Sequence, residues 1–336
     1  MGNAGNRLWA VALAAVVCTG LSACQEQPKP DDRSVRFTAS GDLGMGSGAR
    51  QVLDVVARLK PDFNVALGDF SYKAGAEQEF CRMVTRKLGP DFPFQLITGN
   101  HESDGHDGLI ANFARCLPNR LPGLQGEYGV QWYVDIPQDR PLARIILISP
   151  GLEFQDGKEL DYSGGSDRWK WTEDAIDGAR GAGIRWTVVA MHAPCFSLGK
   201  YGCVAGQEIT NLLVSKNVDL VLTAHEHVYQ RSHQLAVGGA CAWITPGRTE
   251  KSCISDAEGP VTQGKGTVFA GVGTGGLGGH KVQADDPEAG YFAAWSGVNK
   301  DPALGTLDVT ITEARLDARF VPAAGYTFTD QFSIGR

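Results

Sequence analysis

Five short blocks between residues 42 and 227 each place metal-ligand side chains directly after an apolar run. They read Gly41-Asp42-Leu43-Gly44, Gly68-Asp69-Phe70-Ser71-Tyr72, Gly99-Asn100-His101-Glu102, Val189-Ala190-Met191-His192 and Ala224-His225-Glu226-His227. A single Gly-Asp pair after a strand is ordinarily a turn or a helix cap. Five in order supply, in Asp42, Asp69, Tyr72, Asn100, His192, His225 and His227, two carboxylates, a phenol, an amide and three imidazoles, enough donors for two metal ions. A chain that makes such a site must bring five strand ends to one place, and this requirement constrains its fold more than any other feature.

The segments between the blocks agree with that requirement. Ser34 to Ser40 alternates and ends in a glycine-rich turn, as a strand does. Val52, Val56 and Leu59 then recur at helical spacing. Strands are expected over Phe63 to Leu67, Phe94 to Thr98, Arg144 to Ser149, Trp186 to Met191 and Val218 to Thr223. Helices are expected over Glu79 to Leu88, Asp167 to Ala179 and Glu208 to Val214. Alternation of this kind predicts parallel βαβ units, whose ligands gather at the carboxyl ends of the strands. After about residue 235, Ala240 to Ile244, Thr267 to Val272, Thr306 to Ile311 and Ala314 to Val321 read as strands in antiparallel hairpins. Gly271-Val272-Gly273-Thr274-Gly275-Gly276 matches a dinucleotide fingerprint literally. The glycines continue through Gly278-Gly279, so no helix opens and the segment reads as a turn. Asp285-Asp286-Pro287-Glu288 lacks the ligand spacing of a calcium loop and reads as a solvated turn. His233 and His280 have no ligand-like neighbours and read as surface or structural residues.

The chain start has the marks of an export signal. Arg7 precedes an apolar run from Leu8 to Val17, too short to span a membrane, and Leu21-Ser22-Ala23-Cys24 follows. That tetrapeptide resembles the bacterial lipobox, in which Cys24 would become the lipidated first residue of a membrane-anchored protein. Residues 1–23 are therefore expected to be a signal peptide, 24–33 a tether, and 34–336 one domain, because the donor blocks run without a linker. Setting aside Cys18 and Cys24, six of the eight cysteines remain, an even number suited to disulfides in an oxidising compartment. Their clustering favours Cys81–Cys116, Cys195–Cys203 and Cys241–Cys253. The formal net charge is −7, with no basic run, which argues against nucleic acid as a partner.

The donor chemistry suits two cations. Oxygen ligands are hard, imidazole suits Zn, Fe and Cu, and two cations roughly 3.5–4 Å apart can stabilise both oxygens of an in-line displacement. His225 and His227, two residues apart on an extended segment, can serve one ion each. Asp69, central in the series, is the natural bridge.

In order and spacing the blocks resemble the purple acid phosphatases, within the calcineurin-like metallophosphoesterases, and Val228-Tyr229-Gln230-Arg231 extends the similarity. Other members of the superfamily carry a histidine two residues after the first aspartate. Gly44 stands there in this chain, and Tyr72 supplies the missing ligand. The resemblance implies a four-layer α/β/β/α sandwich of two mixed sheets, classed α/β or α+β. It implies Fe(III) on Asp42, Asp69, Tyr72 and His227, and divalent Zn, Fe or Mn on Asp69, Asn100, His192 and His225. His101 would act as a catalytic residue on the phosphoryl or leaving-group oxygen, and Glu102 would orient its neighbours. The implied activity is hydrolysis of phosphate monoesters of small molecules by a metal-bound hydroxide, outside the cytoplasm. A phosphodiesterase or phospholipase-like activity, and a lipoprotein that only binds phosphate, are the alternatives. Two departures stand out: Ala224 replaces a usual glycine, and Tyr201 and Gly202 stand where plant-type members carry a histidine pair. Lys200, Tyr201 and His106 are the candidates for that lost role.

Overall fold

The computed structural model describes residues 1, 33–257 and 259–336; the expected signal peptide, Cys24 and nearly all of the tether lie outside the described residues. The strands in chain order are β1 (Ser34–Ser40), β2 (Phe63–Ala66), β3 (Phe94–Leu96), β4 (Gln125–Glu127), β5 (Gln131–Ile136), β6 (Ala143–Leu147) and β7 (Trp186–Ala190). They continue as β8 (Leu220–Thr223), β9 (Tyr229–Leu235), β10 (Thr267–Val272), β11 (Phe292–Ser296), β12 (Gly305–Thr312), β13 (Arg315–Pro322) and β14 (Gln331–Gly335). The helices are α1 (Ser47–Leu59), α2 (Glu77–Leu88), α3 (Asn100–Ser103), α4 (Ile110–Cys116), α5 (Asp167–Gly181) and α6 (Gln207–Ser215).

Two mixed sheets result, ordered β14-β13-β12-β1-β2-β3 and β11-β9-β10-β8-β7-β6-β5-β4. In the first, β1, β2 and β3 run parallel and β12 joins β1 antiparallel. In the second, β6, β7, β8 and β10 run parallel. Side-chain alternation decides the layers. Ala39, Val65, Val188, Ala190, Leu220 and Leu222 face the other sheet and form a shared core with Trp132 and Trp186. Their neighbours Val189, Met191 and Val221 face outward, where α5 and α6 cover them. Ala66, Phe94 and Leu96 turn the other way, toward α1, α2 and α4. The expected α/β/β/α layering is thus present, with the parallel strands buried on both faces as apolar runs require.

The C-terminal third corrects two expectations. Ala240 to Ile244 forms no strand. The Asn211 side chain accepts from the buried Ile244 amide and donates to its carbonyl, both at 2.9 Å, so this backbone is satisfied without a neighbouring strand. Strand β10 is not simply half of an antiparallel hairpin, because it pairs parallel with β8 and antiparallel with β9. Cys81–Cys116, Cys195–Cys203 and Cys241–Cys253 are bonded, the pairs expected from their clustering. Among the described residues, no helix is long and apolar enough to cross a membrane.

Candidate metal centre

The five blocks lie at the carboxyl ends of β1, β2, β3, β7 and β8, three from one sheet and two from the other. The site therefore straddles the seam between the two sheets. The chain turns sharply as it leaves each strand. Among the described residues, seven non-glycine residues have left-handed φ, and four of them are Asp42, Asp69, Tyr72 and His225, at φ between 53° and 68°. Each costs roughly 1–2 kcal/mol that the surrounding fold must supply. Here the surroundings are tight backbone contacts. Asp42 donates its amide to Gly68 O, Leu43 to Asp69 O, and Gly41 to Val272 O. A Cβ at Gly273 would lie 2.6 Å from Asp42 Oδ2, and one at Gly99 only 2.1 Å from Asp69 Oδ1. The Gly271–Gly276 run is thus a spacer that lets the loop after β10 press against the first aspartate. No helix opens there, as expected.

The donors fall into two groups that share one atom. Tyr72 Oη lies 2.9 Å from Asp42 Oδ1, 3.1 Å from Asp69 Oδ2 and 3.2 Å from His227 Nε2. On the other side, His192 Nε2 lies 3.0 Å from Asn100 Oδ1, 3.1 Å from His225 Nδ1 and 3.4 Å from Asp69 Oδ2. His225 Nδ1 is also 2.9 Å from Asn100 Oδ1. Asp69 Oδ2 belongs to both groups. One donor atom from each of Asp69, His192 and His225 lies within 4.8 Å of the others.

This arrangement fits cations and little else. Nδ1 of His192 is 2.8 Å from Leu67 O, and Nδ1 of His227 is 2.9 Å from Gly278 O. Donation to these carbonyls fixes each tautomer and turns Nε2 into the site, the usual way a ligand histidine is oriented. Asp42 Oδ2 is buried with no hydrogen-bond partner among the described residues. A buried carboxylate oxygen without a partner costs several kcal/mol unless a charge faces it.

Electrostatically, the site favours protons on His192 and Tyr72, beside the carboxylates. Burial alone disfavours a charged His192, but Asp69 more than reverses this and pushes it up to about 9. Burial would raise Asp69, but His192 and then His101 hold it well below the ordinary carboxylate range. Burial, then the carboxylates Asp42 and Asp69, keep the Tyr72 phenol protonated far above its usual range. His225, buried and beside His192, is pushed down to about 4 and stays neutral.

Glu102 and His101 frame the site from α3. The Glu102 carboxylate is buried and accepts from the amides of Asp69, Phe70 and Gly99 at 2.9, 2.7 and 3.1 Å. It fixes the backbone that carries the shared carboxylate. His101 donates its amide to Asp69 Oδ1, while its Nε2 stands 3.7 Å from Asp69 Oδ2 and its ring 4.2 Å from that of Tyr72. Its Nδ1 contacts Asp107 Oδ2 at 2.5 Å, leaving Nε2 turned toward Asp69.

Sequence reasoning missed Asp107, six residues downstream in a loop, because no motif marks it. His280, expected to be surface or structural, is a structural neighbour of the centre, close to a ligand candidate that the sequence did not place beside it. Its ring stacks on His227 at 4.2 Å, and its Nδ1 lies 2.9 Å from Glu226 Oε2. His233 is half-buried and pairs with Asp256, a structural contact. In Asp285 to Glu288 the expectation of a solvated turn fails for Glu288, which is buried and accepts from the Ser197 and Gly247 amides. Of the candidates for the lost histidine pair, His106 is exposed and paired with Asp104, whereas Tyr201 stacks on His225 at 4.3 Å with Lys200 over its outer face. Ala224 packs directly on Gly41, where an added Cβ would lie 2.5 Å from the Ala224 Cβ, so the methyl at 224 is accommodated by the glycine at 41.

An α/β/β/α sandwich with a paired donor set at its seam defines the architecture of metal-dependent phosphoester hydrolases. Residues 35–229 match the family model of calcineurin-like phosphoesterases, and the chain belongs to that family. It is similar to probable purple acid phosphatase 20 of Arabidopsis thaliana, 25% identical over 64% of this chain and 51% of that protein. It is also similar to phosphoenolpyruvate phosphatase of Allium cepa, 26% identical over 61% of this chain and 43% of that protein. This chain spans about half the length of these curated relatives. Among solved structures, a purple acid phosphatase from yellow lupin (Lupinus luteus) seeds superposes with a TM-score of 0.65. It is 16% identical, over 92% of this chain and 55% of that one, and shares the fold.

Proposed function

We propose that this chain is an exported, metal-dependent hydrolase of phosphate monoesters, folded as one domain over residues 34–336. The observation that carries the proposal is that Asp69 Oδ2 belongs to both donor groups. Asp42, Asp69, Tyr72 and His227 would hold ferric iron; Asp69, Asn100, His192 and His225 would hold divalent zinc, iron or manganese. Two such cations supply charge that stabilises the attacking and leaving oxygens of an in-line displacement. The protein does the rest. His101, oriented by Asp107, presents Nε2 to protonate the leaving oxygen or to hydrogen-bond the phosphoryl group. Glu102 keeps the β2 turn in register with α3. Three disulfides support export, and a lipid on Cys24 would anchor the protein to a membrane.

Tyr201, an aromatic ring where the plant-type enzymes carry imidazole, favours a second reading in which diesters are turned over on the same site. Purified protein should be assayed on phosphate monoesters and diesters, with and without a chelator. Chelator-sensitive monoester turnover is expected. Turnover of diesters alone would establish the second reading. Phosphate binding without turnover of either class would refute hydrolysis.

A further inference from the structure

Glu226, the residue between the two histidines of the last block, is itself buried, at 1% exposure. Its two oxygens reach opposite ways. Oε1 accepts the Tyr201 amide, and Oε2 lies 2.9 Å from His280 Nδ1. Each of these partners presses an aromatic ring on one of the flanking imidazoles: Tyr201 on His225, centroids 4.3 Å apart and 30° between planes, and His280 on His227, 4.2 Å apart and 10° between planes. His280 also donates its amide to His227 O at 2.9 Å, so ring and backbone are held together. The Tyr201 side is stapled as well, because Cys195–Cys203 closes the loop on which it lies. The carboxylate has no slack: a Cβ at Gly199 would be 2.1 Å from Oε2. His225 and His227 belong to different donor groups, so one buried carboxylate is coupled to both halves of the centre.

We propose that Glu226 is the positioning residue of the centre, holding one imidazole per cation through a separate aromatic ring for each. This rests on the reading above that both donor groups bind metal. It goes beyond that reading in assigning Tyr201, through its stack on His225, to the Asn100–His192–His225 group and His280, through its stack on His227, to the Asp42–Tyr72–His227 group, while the two rings meet each other only edge to face at 6.1 Å. The structure gives Tyr201, at the place of the absent histidine pair, a use that needs no contact with substrate.

The test is a titration of the metal-free full chain with zinc against a chromophoric chelator, which reads affinity without turnover. Wild type should bind two ions, and His192→Ala should remove one step and thereby identify it. Outer partners of ligand histidines are worth about 10–100-fold in metal affinity. Tyr201→Ala should weaken the step identified by His192→Ala by that factor and spare the other, whereas Tyr201→Phe, which keeps the ring, should match wild type. His280→Ala should weaken only the other step. Glu226→Ala should weaken both, and Glu226→Gln, which retains an acceptor for the Tyr201 amide, should restore the Tyr201 side. Should Glu226→Ala lose its far-ultraviolet dichroism, the two ring variants carry the test alone. Wild-type affinities in both ring variants, or equal weakening of both steps by each, would overturn the proposal. A wild-type chain that takes up no zinc would refute the proposed function instead.

Discussion

The two sides of Asp69 differ in charge, though each has one fully buried member, Asp42 on one and His192 on the other. On one side stand Asp42, the Tyr72 phenol and His227, whose side chain is 14% exposed. On the other stand the neutral Asn100 amide, His225 and a fully buried His192. The first side concentrates anionic oxygen, hard donors that suit a small and highly charged cation. The second offers mostly neutral nitrogen and amide oxygen, suited to a borderline divalent ion. The comparison teaches that a fold can give two adjacent donor groups different chemistry by taking one chiefly from the first sheet and the other equally from both.

Four measurements would break or sharpen that comparison. Asp69→Ala should have the largest effect, since it removes the atom common to both sides. Metal content should fall far below two per chain and turnover should vanish; an Asp69→Ala protein with both ions and normal rate would show that the sides are independent. His101→Ala should leave metal content near wild type and lower kcat by roughly 10²–10⁴, the range for an acid–base group. Asp107→Asn should fall short of that loss, because the ring remains; unchanged rates in both variants would remove the pair from the mechanism. Tyr72→Phe tests one side only. Oxidised, iron-loaded protein should absorb visible light through a tyrosinate, and the variant should lose that band while keeping the ion on the histidine side. A band that survives the substitution would mean the phenol is no ligand.

The smallest effect is on pH. Burial and then Asp69 push Glu102 up to about 8, and Asp69 overcomes burial to push His192 up to about 9. Both folded values exceed the unfolded ones, so the fold binds protons that the unfolded chain releases, and stability is lost as pH rises through them. Metal-free protein should therefore melt lower at pH 9 than at pH 6.5, by about 2–4 °C for each kcal/mol. Metal uptake must expel the protons on His192 and Tyr72, so zinc affinity should rise over the same range. A melting temperature that rises with pH in the absence of metal would contradict the protonated, ion-like site.

Much of this site was legible because its residues are adjacent to apolar strands. Asp42, Asp69, Asn100, His192 and His225 follow β1, β2, β3, β7 and β8, and a strand's end is easier to place than its pairing. Strand β9 was not legible. Its buried face carries Gln230, Ser232 and Gln234, held by side-chain hydrogen bonds, so hydrophobic alternation is absent. Strand β5 is different: Trp132, Val134 and Ile136 alternate plainly, and the signal was there to be used. His280 and Asp107 escaped because their roles arise from tertiary approach, across 53 residues in one case and from an unmarked loop in the other.

Because the proposed ligands come from two sheets, and from segments as far apart as residues 42 and 227, no half of the chain owns the whole candidate site. An ion that needs both sheets docked recognises the finished fold and not the chain on its way there. Free metal in the compartment then acts as a thermodynamic ratchet: each ion captured deepens the native well by RT ln(1 + [M]/Kd), about 2.7 kcal/mol at a hundredfold excess over Kd. Where metal is scarce, the same protein would be not merely idle but easier to unfold, and so easier to clear.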